Sequence, residues 1–195
     1  MSTSLAAVPA PGCHTPRGRD THAAIVRAAI AEFAVHGIAA TRLSAVARRA
    51  YVAPSTISLH FDGKADLLDA CIDMVLRDAW RQADRAVHGH PCAVLAGHWG
   101  RCLDVALGER PFVARVRPQA PTRWEAAVRR YEGGLLARLE QDVARARRLG
   151  ILAADRGTPE WAAGVARLVI ALVVLGESTA PAGLAARAAL VAVPS

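Results

Sequence analysis

Residues 41–64, TRLSAVARRAYVAPSTISLHFDGK, hold two short helical patterns that meet at a tight junction. Thr41 is a good N-cap, and Leu43, Val46, Ala47 and Ala50 recur at three- and four-residue spacing, leaving Arg42, Ser44, Arg48 and Arg49 to face outward. Tyr51-Val52-Ala53 follows, and Pro54-Ser55-Thr56 opens a second helix, because the missing N–H of proline has no partner in a first turn anyway. Val52, Ile57 and Phe61 are left to pack inward. Two short helices joined this closely have the layout of a helix-turn-helix, whose second helix can enter a DNA major groove, although paired short helices are common in all-α proteins and most bind no nucleic acid. Ser55, Thr56, Ser58, Leu59 and His60, introduced by Pro54, then form the face for phosphates and base edges, with Leu59 suited to a thymine methyl.

The stretch resembles the TetR family of bacterial transcriptional repressors. The resemblance rests on Phe33, Gly37, Thr41, Val46, Ala47, Ala50, Val52, Thr56, Ile57, His60, Phe61, Lys64, Leu67 and Leu68, held in fixed register. It implies an all-α chain with an N-terminal three-helix DNA-binding domain and a C-terminal helical bundle for ligand binding and dimerisation. It also implies a phosphate contact at Lys64, a homodimer formed by the last two helices, and a small-molecule effector that releases the repressor from a palindromic operator; Thr41 and Arg42 are read beside Lys64 as phosphate contacts. Two positions depart from the family pattern. Tyr51 replaces the turn glycine, at a steric cost if the backbone there keeps a positive φ, and Ser58 replaces a tyrosine that usually touches phosphate.

The division expected from the sequence is a disordered tail over 1–16, the DNA-binding domain over 17–63 and the ligand-binding and dimerisation domain over 64–195. Residues 1–16 have no apolar period, and Arg17 and Arg19 follow as a basic arm. Thr21 to His36 reads as the first helix, with Ile25, Ala29 and Phe33 facing Val46, Ile57 and Phe61, and Gly37 ending it. Asp62-Gly63 caps a fourth helix that carries Leu68, Ile72, Val75, Leu76, Ala79, Trp80 and Ala83 on one stripe. Lys64 at its start is a cation at the positive end of a helix dipole, a conflict that a docked phosphate would relieve.

Beyond the break at His88-Gly89-His90-Pro91, one helical stripe runs from Leu95 to Ala106, and a short segment spans Pro111 to Arg117. Thr122 and Glu125 have capping-box spacing ahead of a single long helix reaching Gly150, with Gly133-Gly134 inside it as a mark of close helix packing, a kink or space for a ligand, packing first among them. Further helices are expected from Thr158 to Gly176 and from Ala182 to Val193. Leu168 to Leu175 is apolar on nearly every face and calls for a cover, which a second subunit supplies.

Trp80, Trp99, Cys102, Trp124, Tyr131 and Trp161 are the candidate walls of an effector pocket, although each also lies on a stripe that an ordinary core would use. No cofactor or metal is expected. A metal-responsive variant of the regulator would use His88, His90 and Cys92, with His98 and Cys102 downstream, yet their spacing matches no standard zinc module. Enzyme function is not expected: HExxH, GxSxG, a Walker loop and paired Glu-x-x-His are all absent. The remaining rival is a helical ligand-binding or interaction protein with impaired DNA binding, which Tyr51 and Ser58 would explain.

The net charge of +7 suits a polyanion, and Lys64 is the sole lysine among 24 basic residues. Cys13, Cys71, Cys92 and Cys102 show no paired framework, and Leu5 to Gly12 is too short and too broken by proline for an export signal. A cytoplasmic protein with reduced thiols and no membrane association is expected.

Overall fold

The computed structural model describes residues 16–87, 111–150, 159–160 and 164. Among them all regular structure is helical: α1 (Pro16–Ala40), α2 (Leu43–Arg49), α3 (Pro54–His60), α4 (Lys64–Val87), α5 (Pro111–Val116) with a 3-10 turn at Arg117–Gln119, α6 (Pro121–Arg129) and α7 (Glu132–Arg148). The fold is all-α with an N-terminal helix-turn-helix. The tail before Pro16, the residues His88, His90, Cys92, His98, Trp99, Cys102 and Trp161, and most of the two last expected helices lie outside the described residues.

The described residues fall into two compact units, one comprising residues 16–75 and 111–123, the other 76–87, 124–150, 159–160 and 164. The first unit is built on α1, whose Ile25, Val26, Ala29 and Phe33 are buried together with Val46 and Ala47 of α2, Ile57 of α3, Phe61, and Leu67, Leu68, Cys71 and Ile72 of α4. The expected facing of Ile25, Ala29 and Phe33 toward Val46, Ile57 and Phe61 therefore supplies the core. α1 is long and apolar enough to cross a membrane by length and composition alone, but its Ile25, Val26, Ala29 and Phe33 are buried in this core.

The same core includes α5. Phe112, Val113 and Val116 are buried, and the Phe112 and Phe33 rings lie 6.5 Å apart at a tilt of 57°. An aromatic pair of this geometry adds about 0.5–1.5 kcal/mol to the area it buries. The short segment after Pro111 is thus part of the unit that carries the helix-turn-helix.

Three helix boundaries differ from the sequence reading. First, α1 opens at Pro16, not Thr21, because proline fits the first turn and Thr21 lies inside the helix with its hydroxyl donating to the Arg17 carbonyl at 3.0 Å. Arg17 and Arg19 are consequently exposed residues of a helix. Second, Gly37 interrupts α1 at φ 76° and ψ 177°, and one further turn reaches Ala40. Third, the long helix expected from Thr122 to Gly150 is two helices. A turn at Arg130–Tyr131, held by Tyr131 N–H to the Val128 carbonyl at 2.9 Å, separates α6 from α7. Gly133 therefore stands in the first turn of α7, and a side chain there would meet nothing within 4 Å, so close packing is not its cause. The capping box is also absent: Pro121 opens α6, Thr122 lies within it, and Glu125 accepts from Arg129 at 2.6 Å.

In the second unit, Leu76, Ala79, Trp124, Ala127, Val128, Tyr131, Leu135, Val143 and Ala146 are buried. Asp142, also buried, is paired with Arg138 one turn earlier at 3.3 Å.

Candidate nucleic-acid interface

The turn between α2 and α3 fixes the angle at which α3 is presented. Val52 N–H bonds to the Ala47 carbonyl at 3.0 Å and Tyr51 N–H to the Arg48 carbonyl at 3.2 Å, the paired bonds of a Schellman motif. That motif needs a left-handed residue where Tyr51 stands, and Tyr51 has φ 56°. Among the described residues it is the one non-glycine with positive φ. The turn that the glycine of the family would form is kept, at a cost of about 1–2 kcal/mol for placing an L-residue there.

Only Ile57 of α3 is fully buried, 1 % exposed, and Phe61 just beyond it is 5 % exposed. These two anchor a helix of seven residues whose other side is free. Pro54, Ser55, Ser58 and Leu59 are exposed, Leu59 to 75 %, while Thr56 and His60 are half-buried. The His60 ring meets His22 of α1 edge-on at 5.9 Å, and His22 in turn stacks on Phe61 at 4.7 Å. His60 is thereby drawn toward α1, whereas Ser55, Ser58 and Leu59 form the outward surface.

The three residues expected at phosphates are placed differently from one another. Arg42 is exposed at the N-cap of α2. Thr41, expected both as that cap and as a phosphate contact, is 1 % exposed, and its hydroxyl donates to the Gly37 carbonyl at 2.7 Å. The break at Gly37 leaves that carbonyl without a helical partner, and Thr41 closes it. Its side chain therefore faces the core and not a ligand.

Lys64 is half-buried, and its Nζ donates to the carbonyls of Ile38 and Ala39 at 3.1 and 3.0 Å. The cation expected to be misplaced at the start of α4 is satisfied by the negative end of α1. Asp66 is the acid in the first turn of α4, and it accepts the Asp62 N–H at 3.1 Å. No phosphate is required to explain this lysine.

Arg49 is tethered as well. Its Nε lies 2.7 Å from the carboxylate of Glu32, a buried residue of α1 that also faces His36 at 3.6 Å. Arg48, by contrast, is exposed beside the turn.

Gln119 was not legible as a site residue. Its Oε1 accepts the Ile38 N–H at 2.9 Å and its Nε2 donates to the Arg115 carbonyl at 2.9 Å, so the end of α5 is bonded to the residue after the Gly37 break. The only sequence signal was Gly37 itself, since the contact spans 81 positions along the chain.

Of the candidate pocket residues, Trp124 is fully buried, Tyr131 is 9 % exposed and Trp80 is half-buried. The Trp80 and Tyr131 rings come within 6.0 Å, so two of the six expected residues form an aromatic pair.

Residues 25–71 match the family model of bacterial regulatory proteins of the tetR family. No curated protein matches the sequence. Among solved structures, the multidrug binding protein EbrR complexed with imidazole is 24 % identical with a TM-score of 0.58, over 97 % of this chain and 100 % of its own. The fatty acid degradation regulator FadR from Bacillus halodurans is 16 % identical with a TM-score of 0.55, over 88 % of this chain and 94 % of its own. SmeT, the repressor of the Stenotrophomonas maltophilia multidrug efflux pump SmeDEF, is 22 % identical with a TM-score of 0.53, over 87 % and 86 %.

Proposed function

We propose that this chain, whose residues 25–71 are a helix-turn-helix domain of the TetR family, is a DNA-binding transcriptional regulator that acts as a repressor. The observation that carries the reading is α3: one buried anchor, Ile57, and an outward surface of Ser55, Ser58 and Leu59 set at a fixed angle by the Schellman turn. Short hydroxyl side chains donate to phosphate or base edges, and the Leu59 methyls suit thymine. Pro54, Thr56 and His60 border that surface, and exposed Arg42 supplies phosphate charge. The third Nζ proton of Lys64 remains for a phosphate once the two carbonyls are satisfied.

In this reading the protein works in the cytoplasm as a homodimer formed by its last two helices, on a palindromic operator, and carries out no catalysis. A small molecule bound in the second unit favours one spacing of the two heads over another and so lowers DNA affinity. The Trp80–Tyr131 pair is our candidate wall for that ligand, and Trp124 is buried in the same unit. EbrR and SmeT, a multidrug binding protein and a repressor of an efflux pump, support the class of function.

Selection of duplexes from a random pool by the purified protein tests the proposal. Enrichment of a palindrome with two half-sites about one helical turn apart, or a multiple of that, is the expected result. Failure to enrich any duplex would leave a helical binding protein without DNA function.

A further inference from the structure

Tyr51 is the residue whose placement the fold itself does not explain. Its side chain is 96 % exposed, so the phenol ring contributes almost nothing to the core. Its backbone is left-handed at φ 56°, where glycine would sit without strain. The Schellman bonds are made by backbone atoms of Ala47, Arg48, Tyr51 and Val52 and need no side chain at position 51. A residue that costs stability and returns no contact within its own unit points to a role outside that unit.

The surroundings indicate which role. Tyr51 lies in a run of exposed side chains, preceded by Arg48 and Arg49 at the end of α2 and followed by Ala53, Pro54 and Ser55 at the start of α3, with only Ala50 and Val52 half-buried between them. This run borders the groove-reading surface on its N-terminal side. In a duplex the border of the major groove is the phosphate backbone, and a phenol O–H is a neutral donor long enough to reach it. Ser58, in the middle of α3, has a much shorter reach.

We propose that Tyr51 is a DNA-backbone contact, its hydroxyl donating to a phosphate that flanks the major groove read by α3. The proposal rests on the DNA-binding function proposed above. Tyr51 thus exchanges stability of the free protein for affinity in the complex, and the left-handed turn holds the ring out from the surface in advance of binding.

The test uses the full-length protein, a duplex enriched by the wild type from the random pool, and the variants Tyr51→Phe and Tyr51→Gly. Tyr51→Phe keeps ring and backbone, so its melting midpoint stays at the wild-type value while affinity falls about 3- to 10-fold. Because a neutral donor displaces no counterion, the slope of log K against log salt is unchanged in that variant. Tyr51→Gly relieves the turn, raising the midpoint by about 2–4 °C, and binds at least as weakly as Tyr51→Phe. Wild-type affinity in Tyr51→Phe would overturn the hydroxyl contact, and equal or tighter binding by Tyr51→Gly would overturn any role in DNA. If the wild type enriches no duplex, the regulator reading fails first and the Tyr51 contact with it.

Discussion

The carboxamide of Gln119 lies across Gly37: a methyl group at position 37 would come within 2.9 Å of Gln119 Nε2 and 3.1 Å of Oε1. With φ at +76°, Gly37 is required both by its backbone and by this neighbour. The substitution Gly37→Ala should destabilise the protein by about 2–3 kcal/mol, combining left-handed strain with a displaced hydrogen bond. In the Gln119→Ala background the steric part vanishes, so urea denaturation of the four proteins should give a smaller cost for Gly37→Ala. Equal costs in both backgrounds would show that the two residues are independent.

Lys64 closes the other side of the same junction through the carbonyls of Ile38 and Ala39. Lys64→Met should therefore lose about 1–3 kcal/mol of stability with no DNA present, a cost set by charged hydrogen bonds to α1. A denaturation midpoint identical to the wild type would mean that these bonds contribute nothing and that the lysine serves a ligand alone.

Phe33 has no exposed surface, and its ring meets Phe112 of α5. Phe33→Ala and Phe112→Ala should each cost about 3–5 kcal/mol. If α5 shares the folding unit of the helix-turn-helix, both variants shift the midpoint seen by a probe in α3. A Phe112→Ala effect confined to later residues would contradict that sharing.

The Cys71 thiol donates to the Val26 carbonyl at 3.6 Å within the core, and burial pushes its pKa well above the ordinary thiol range. The unfolded chain releases this proton above a pH of about 8.5, while the folded protein keeps it. Below that pH Cys71 therefore leaves stability unaffected, and above it stability falls as pH rises. In Cys71→Ala the decline between about pH 8.5 and 10 should be shallower. An unchanged slope in this variant would show that Cys71 is not its source.

Much of the first unit was legible because its cues are local. The period of Leu43, Val46 and Ala47 and the proline at position 54 place α2 and α3 within the few residues that caps and turns allow, while the family glycine at position 51 left open whether the turn there differs or is strained, and φ 56° at Tyr51 decides for strain. What was missed depends on distant partners. Nothing near Thr41 in sequence tells that its hydroxyl faces the Gly37 carbonyl, because that depends on the break in α1. Lys64 was read against its own helix dipole, yet its partners are 25 and 26 residues away. The division of α6 from α7 was obscured because Tyr131 keeps the apolar period through the turn that interrupts the helix.

The outward face of α3 makes its most direct prediction in the salt dependence of DNA binding. The wild type and Arg42→Ala should be titrated against the selected duplex between about 50 and 200 mM salt. Affinity should fall steeply with salt in the wild type, and Arg42→Ala should bind more weakly with about two units less slope, as removal of one phosphate contact from each protomer of the dimer requires. Binding that ignores salt, or an Arg42→Ala protein indistinguishable from the wild type in both affinity and slope, would contradict this interface.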